Sequence, residues 1–210
     1  MRTPSPDASH LRVTGHALTA LTVLLTAAAC TRGAAVAPLP EPAPHNGGTL
    51  TYALTADPVS VTPLYGGDAA GIVVERNVFA GLVDADPSTL RTVPSIARSW
   101  SSSADGRTFT FHLRPGVSFP SGAGSVTAGT FVQDWALLCS RQAASPNAAV
   151  LAAVAGYGAC RGGASSLTGV RAAGPLTLVV SLSRPVRDFP STLVDPATWA
   201  FPPQLASTAA

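Results

Sequence analysis

Thr108 to Leu113 (TFTFHL) alternates without a break between polar and apolar residues. Side chains two apart on a strand share a face. Phe109, Phe111 and Leu113 therefore point one way, and Thr108, Thr110 and His112 the other. Before this run, Pro94 to Trp100 reads as an apolar-studded turn of chain, and Ser101 to Gly106 as a polar turn ending in Asp105-Gly106, a hairpin signal. After it, Pro115 has no N–H for a ladder and Gly116 permits a turn, so the strand stops. The stretch Val93 to Gly122 is thus a half-buried hairpin with its apolar face fixed by register.

Other elements follow the same logic. Thr49 to Leu54 alternates and predicts a strand, ended by Asp57-Pro58. Ala69 to Val83 predicts a helix with Ile72, Phe79 and Val83 on one face and Glu75 and Arg76 largely opposite. Asp84 to Thr92 is a polar turn. Thr127 is placed to cap a helix to about Gln142, with Phe131, Trp135, Leu138 and Cys139 on its apolar face. Thr130 stands where a capping box has Glu or Gln, so the box is expected to be incomplete. Ser145-Pro146-Asn147 breaks that helix, and Ala148 to Ala155 allows one or two further turns. Gly156 to Ser166 reads as glycine-rich loop. Leu176 to Leu182 (LTLVVSL) predicts a strand, and Arg184 to Leu193 a short helix interrupted at Pro190.

The first thirty residues carry a different signal. Arg2 and Arg12 precede the uncharged run Ala17 to Ala29. That run is shorter than the ~20 residues a membrane-spanning helix needs and suits the apolar core of a secretory signal. Ala27-Ala28-Ala29-Cys30 resembles a lipobox, in which Cys30 becomes the lipidated N-terminus; the alternative is an ordinary signal cut after an A-x-A site. Thr31 to Gly48, rich in Ala, Pro and Gly, reads as a tether. The expected organisation is 1–29 signal peptide, 30–48 lipid-anchored cysteine and tether, and 49–210 folded domain.

Chemistry is harder to find. Charged residues are 11% of the chain, and its basic residues, all Arg, are scattered for a net charge of +2. A nucleic-acid partner needs a clustered basic face, so none is expected. No nucleophile elbow, zinc-protease or C-x-x-C motif occurs. Gly156 to Arg161 misses a dinucleotide loop because Arg161 takes the third glycine position. His10 and His16 lie in the signal, leaving His45 and His112, too few for a metal cluster. No cofactor is expected, and no enzyme. With Cys30 lipidated, Cys139 and Cys160 remain as an even pair, which outside the cytoplasm favours a disulfide; two unrelated thiols are the alternative.

A series of motifs gives the chain a family resemblance. Gly47-Gly48-Thr49-Leu50 is followed by Asp57-Pro58 and Pro63-Leu64, then by Arg76 to Val83 (RNVFAGLV). Val93-Pro94 through Ser99-Trp100 and Thr108 to Phe119 come next. Val126-Thr127-Ala128 opens a helix with Phe131 and Trp135. Ala144-Ser145-Pro146, Leu167 to Val170, Leu176 to Pro185 and Asp195-Pro196 complete the series. In this order they resemble family 5 extracellular solute-binding proteins of ABC importers, the oligopeptide, dipeptide and nickel group, over Gly47 to Pro203.

The resemblance implies a mixed α/β fold, the first lobe of a periplasmic-binding-protein type II architecture, here incomplete and without the second lobe. It implies an extracytoplasmic receptor, anchored to the cell membrane through Cys30, that captures oligopeptides or a similar small solute for ABC permease subunits. Because family members are considerably longer, a truncated product is expected. The alternative is a non-binding surface lipoprotein or interaction module derived from that family. The cleft-facing positions carried over are Gly67, Asp68, Ala69 and Asn147. Asn147 stands where peptide binders commonly have an aromatic after Ser-Pro, and Asp68 has a competing reading as a helix N-cap.

The anchor has a direct test. Cys30→Ala should move the protein from the membrane fraction to the soluble one; unchanged fractionation would refute lipidation at Cys30.

Overall fold

A computed structural model describes residues 47–207. The expected signal peptide, Cys30, His45 and most of the expected tether lie outside the described residues. The chain divides into two units, Met1–Thr51 and Tyr52–Ala210. Of the first, the described residues 47–51 are irregular and exposed. The elements below belong to the second.

The strand expected over Thr49 to Leu54 does not form. Leu50 is 90% exposed and Tyr52 67%. Alternation alone does not make a strand; it needs a ladder partner and an apolar surface to cover, and this segment has neither among the described residues.

Helix α1 runs from Ala69 to Val78 and strand β1 from Val83 to Ala85. Strand β2, Thr92–Pro94, pairs antiparallel with β1, so the expected polar turn from Asp84 is the tip of a small hairpin. Asp86 holds that tip by accepting from the N–H groups of Ser88 and Thr89.

The main sheet follows. Strands β3 (Ala97–Ser102), β4 (Thr108–Leu113), β5 (Val170–Gly174) and β6 (Thr177–Ser181) lie in the order β3-β4-β6-β5, all antiparallel. Part of the expected turn over Pro94 to Trp100 is therefore strand β3. Strand β4 keeps its predicted faces: Phe109, Phe111 and Leu113 are buried and the alternate residues half-buried. Register sets Phe109 opposite Val180 and Phe111 opposite Leu178. Leu178, Val179 and Val180 are all buried, which explains the unbroken apolar run of β6. The edge strands β3 and β5 expose Arg98, Ser99 and Arg171, charged and polar groups that discourage further pairing.

Helix α2, Ala128–Cys139, packs on the β5–β6 side with Phe131, Trp135, Leu138 and Cys139 fully buried. The rings of Phe131 and Trp135 meet edge-on at 6.2 Å. Thr130 does close its half of the capping box, its Oγ1 accepting the Thr127 N–H at 3.1 Å; a hydroxyl reaches as well as a carboxylate. The glycine-rich segment carries a short helix, α3 (Tyr157–Arg161), which presents Cys160 to α2. Cys139 and Cys160 are joined in a disulfide, their Cα atoms 5.9 Å apart. Helix α4, Phe189–Thr192, carries Pro190 in its first turn instead of breaking there, since proline is tolerated in a first turn. A 3₁₀ turn, Pro196–Thr198, and helix α5, Pro203–Ser207, close the described chain.

Candidate functional site

Two loops that are far apart in sequence are stitched together. Ser145 Oγ donates to the Leu64 carbonyl, Tyr65 Oη to the Ala143 carbonyl at 2.8 Å, and Asn147 Nδ2 to the Gly66 carbonyl at 2.6 Å. Asn147 is itself steadied by its N–H donating to Ser145 Oγ at 3.1 Å. Helix α2 ends at Cys139, before the expected Gln142 and Ser145-Pro146, and the turns that follow set the Ala143 carbonyl, Ser145 Oγ and Asn147 Nδ2 against the carbonyls and hydroxyl of Leu64 to Gly66. Gly67 lies beside Asn147 with φ +135°, a conformation open to glycine.

Asp68 has a structural role. Its Oδ1 accepts from the N–H groups of Ala70 and Gly71 at 3.1 and 3.0 Å, and its Oδ2 from Val59 N–H at 3.1 Å. It is the N-cap of α1, and these bonds, that of Gly71 first, hold its carboxyl below the ordinary carboxylate value. Ala69 is exposed in the first helical turn. Of the four positions, Gly67 and Asn147 line a common cleft of about 190 Å³, with Gly66, Ile72, Glu75 and Asp195.

Glu75 is the residue that sequence reasoning missed. Expected on the polar side of α1, it is 1% exposed, whereas Val78 is 66% exposed. The helix ends at Val78, so Phe79 and Val83, which defined the expected apolar face, are not part of it. The buried face consists of Ala70, Gly71 and Glu75. Two small residues one turn before a long one are the signal available in sequence. They let the helix approach its neighbours and leave the carboxylate to fill the space. Gly66 completes the fit, because a Cβ there would occupy the position of Glu75 Oε1.

Glu75 Oε1 is buried with no hydrogen-bond partner. Burial first, then the charges of Asp195 and Asp68, push its pKa from 4.5 up to about 7. Its neighbour Arg76 is engaged elsewhere, 3.5 Å from Asp84 and with its guanidinium 5.8 Å above the Trp199 ring. The opposite wall comes from the segment after α4. Asp195 caps the Pro196–Thr198 turn by accepting the Ala197 N–H at 2.9 Å. Trp135 Nε1 donates to the Thr198 carbonyl at 2.8 Å, and Asp134 Oδ2 accepts the Phe201 N–H at 3.2 Å. Helix α2 thereby fixes the segment that carries Asp195.

Residues 91–209 match the family model of bacterial extracellular solute-binding proteins, family 5. The chain belongs to this family. It is 35% identical to the periplasmic oligopeptide-binding protein OppA of Escherichia coli over 133 residues, 61% of this chain and 24% of that protein. It is 30% identical to a probable deoxycholate-binding periplasmic protein of the same organism, YgiS, over 70% of this chain and 28% of the relative. Among solved structures it resembles Haemophilus influenzae OppA in complex with RPPGFSPFR, at 29% identity and a TM-score of 0.66, covering 73% of this chain and 30% of that one. The matches cover between 10% and 28% of the length of the curated relatives, and these relatives are binding proteins. Among the described residues no helix is long and apolar enough to cross a membrane.

The raised Glu75 pKa fixes a pH dependence. The native state holds this proton more tightly than the unfolded chain. The stability linked to it is complete below about pH 4.5 and is lost as pH rises toward 7. Glu75→Gln removes the buried charge. In urea unfolding it should match the parent at pH 4.5 and exceed it at pH 8 by on the order of 2–3 kcal/mol. A variant less stable than the parent at pH 8 would contradict the buried, unpaired carboxylate.

Proposed function

We propose that this chain contributes one wall of the solute site of an extracytoplasmic receptor that captures peptides or a similar small solute for an ABC permease, held at the membrane by lipidated Cys30. The stitched loops support this reading best. Three hydrogen bonds set the Leu64–Gly66 loop against the Ala143–Asn147 loop, and Gly66, Gly67 and Asn147 line the cleft between them. The likeness to OppA proteins, one of them in complex with RPPGFSPFR, favours a peptide. The likeness to YgiS favours a non-peptide solute for the same site.

Equilibrium dialysis of the full chain against a mixture of tripeptides to pentapeptides, read by mass spectrometry, tests the reading. Peptides should be retained, and Asn147→Leu, which frees the Gly66 carbonyl, should cut retention at least tenfold. Retention of no peptide by the parent would overturn the peptide reading.

A further inference from the structure

The cleft beside Glu75 is short of one positive charge. Glu75 Oε1 is buried and unpartnered. Asp195 faces it from the Pro196 turn and Asp68 from the start of its own helix, and both act on it as like charges. Among the described residues no Arg or His lines the cleft, and Asn147 is the neutral polar member of its wall. Arg76 lies next to Glu75 in sequence but is occupied by Asp84 and Trp199. A buried carboxylate without a counter-charge is costly, and its oxygen sits where a Cβ at position 66 would displace it.

The available acceptors are oxygens. Asn147 gives one of its two Nδ2 hydrogens to the Gly66 carbonyl, and its Oδ1, close to Gly67, is an acceptor. Size narrows the ligand further. At roughly 30 Å³ per water-sized group, a cleft of about 190 Å³ takes the end of a side chain or a short amine and not a whole peptide.

We propose that this cleft receives the positively charged end of the solute, an ammonium or guanidinium group, against the Glu75 carboxylate. The inference rests on the solute-binding reading above and adds the charge class of the ligand. Solute loading then supplies the charge that the buried carboxylate lacks, and it is favoured where Glu75 is ionised.

Three probes test this by titration calorimetry on the full chain. Trialanine carries an α-ammonium, N-acetyl-trilysine amide carries side-chain ammonium groups only, and N-acetyl-trialanine amide carries no charge. At pH 7.5 at least one cationic probe should bind tenfold or more tighter than the neutral one, and which of the two does so identifies the source of the cation. In Glu75→Gln the gap should close to within about twofold. In the unmutated chain, which does not depend on the variant folding, the gap should shrink at least fivefold between pH 7.5 and pH 5. Equal affinity for charged and neutral probes, or a gap that survives both Glu75→Gln and pH 5, would overturn the cation assignment and leave solute binding standing. No binding of any probe would overturn the cation assignment together with the peptide reading.

Discussion

The wall of the cleft that carries Asp195 depends on a hydrogen bond from the indole N–H of Trp135 to the Thr198 carbonyl. Trp135 is fully buried, so neither partner has water to fall back on, and an unmet buried pair would cost more than the bond contributes. Helix α2 supplies the donor from the apolar face it commits to the core. Phe131, Leu138 and Cys139 are buried with it, and the disulfide to Cys160 ties its last turn to α3. Segment 195–201 is therefore positioned by the core and not by local turn preferences. Asp195 and Ala197, on the wall opposite Glu75, inherit that position.

The sheet underneath explains why α2 can act as a fixed strut. Strands β4 and β6 pair at its centre and bury Phe109, Phe111, Leu178 and Val180. Phe189 joins them from α4, its ring 5.4 Å from that of Phe109. The segment that leads to Asp195 is thus anchored at both ends, by Phe189 on the sheet and by Thr198 on α2. A short stretch of chain held this way keeps its shape.

Much of this scaffold was legible in sequence. A strict period of two fixed the faces of β4, and helical spacing picked out Phe131, Trp135, Leu138 and Cys139. Both signals are dense and local. Three features were hidden for a different reason, that tertiary contacts decide them. Thr49 to Leu54 has a strand's alternation but no partner. Part of the segment Pro94 to Trp100 reads as turn because β3 is an edge strand whose residues are mostly polar. Glu75 looks solvated because a carboxylate on a helix usually is; only the proximity of Gly66, Asp68 and Asp195 reveals its burial. The carried-over positions show the same division. Asp68 obeys local capping chemistry, whereas the meeting of Gly67 with Asn147 depends on bonds across roughly eighty residues.

The buried, unpaired carboxylate is the claim on which the site stands, and it can be read one atom at a time. Glu41 and Glu75 are the glutamates of this chain. Labelling glutamate Cδ with ¹³C therefore gives two resonances in an NMR pH titration, each assignable by substituting the other residue. The account predicts that the Glu75 resonance titrates near pH 7, well above the ordinary value of 4.5. A Glu75 midpoint close to 4.5 would show a solvated or paired carboxylate and contradict the cleft described here.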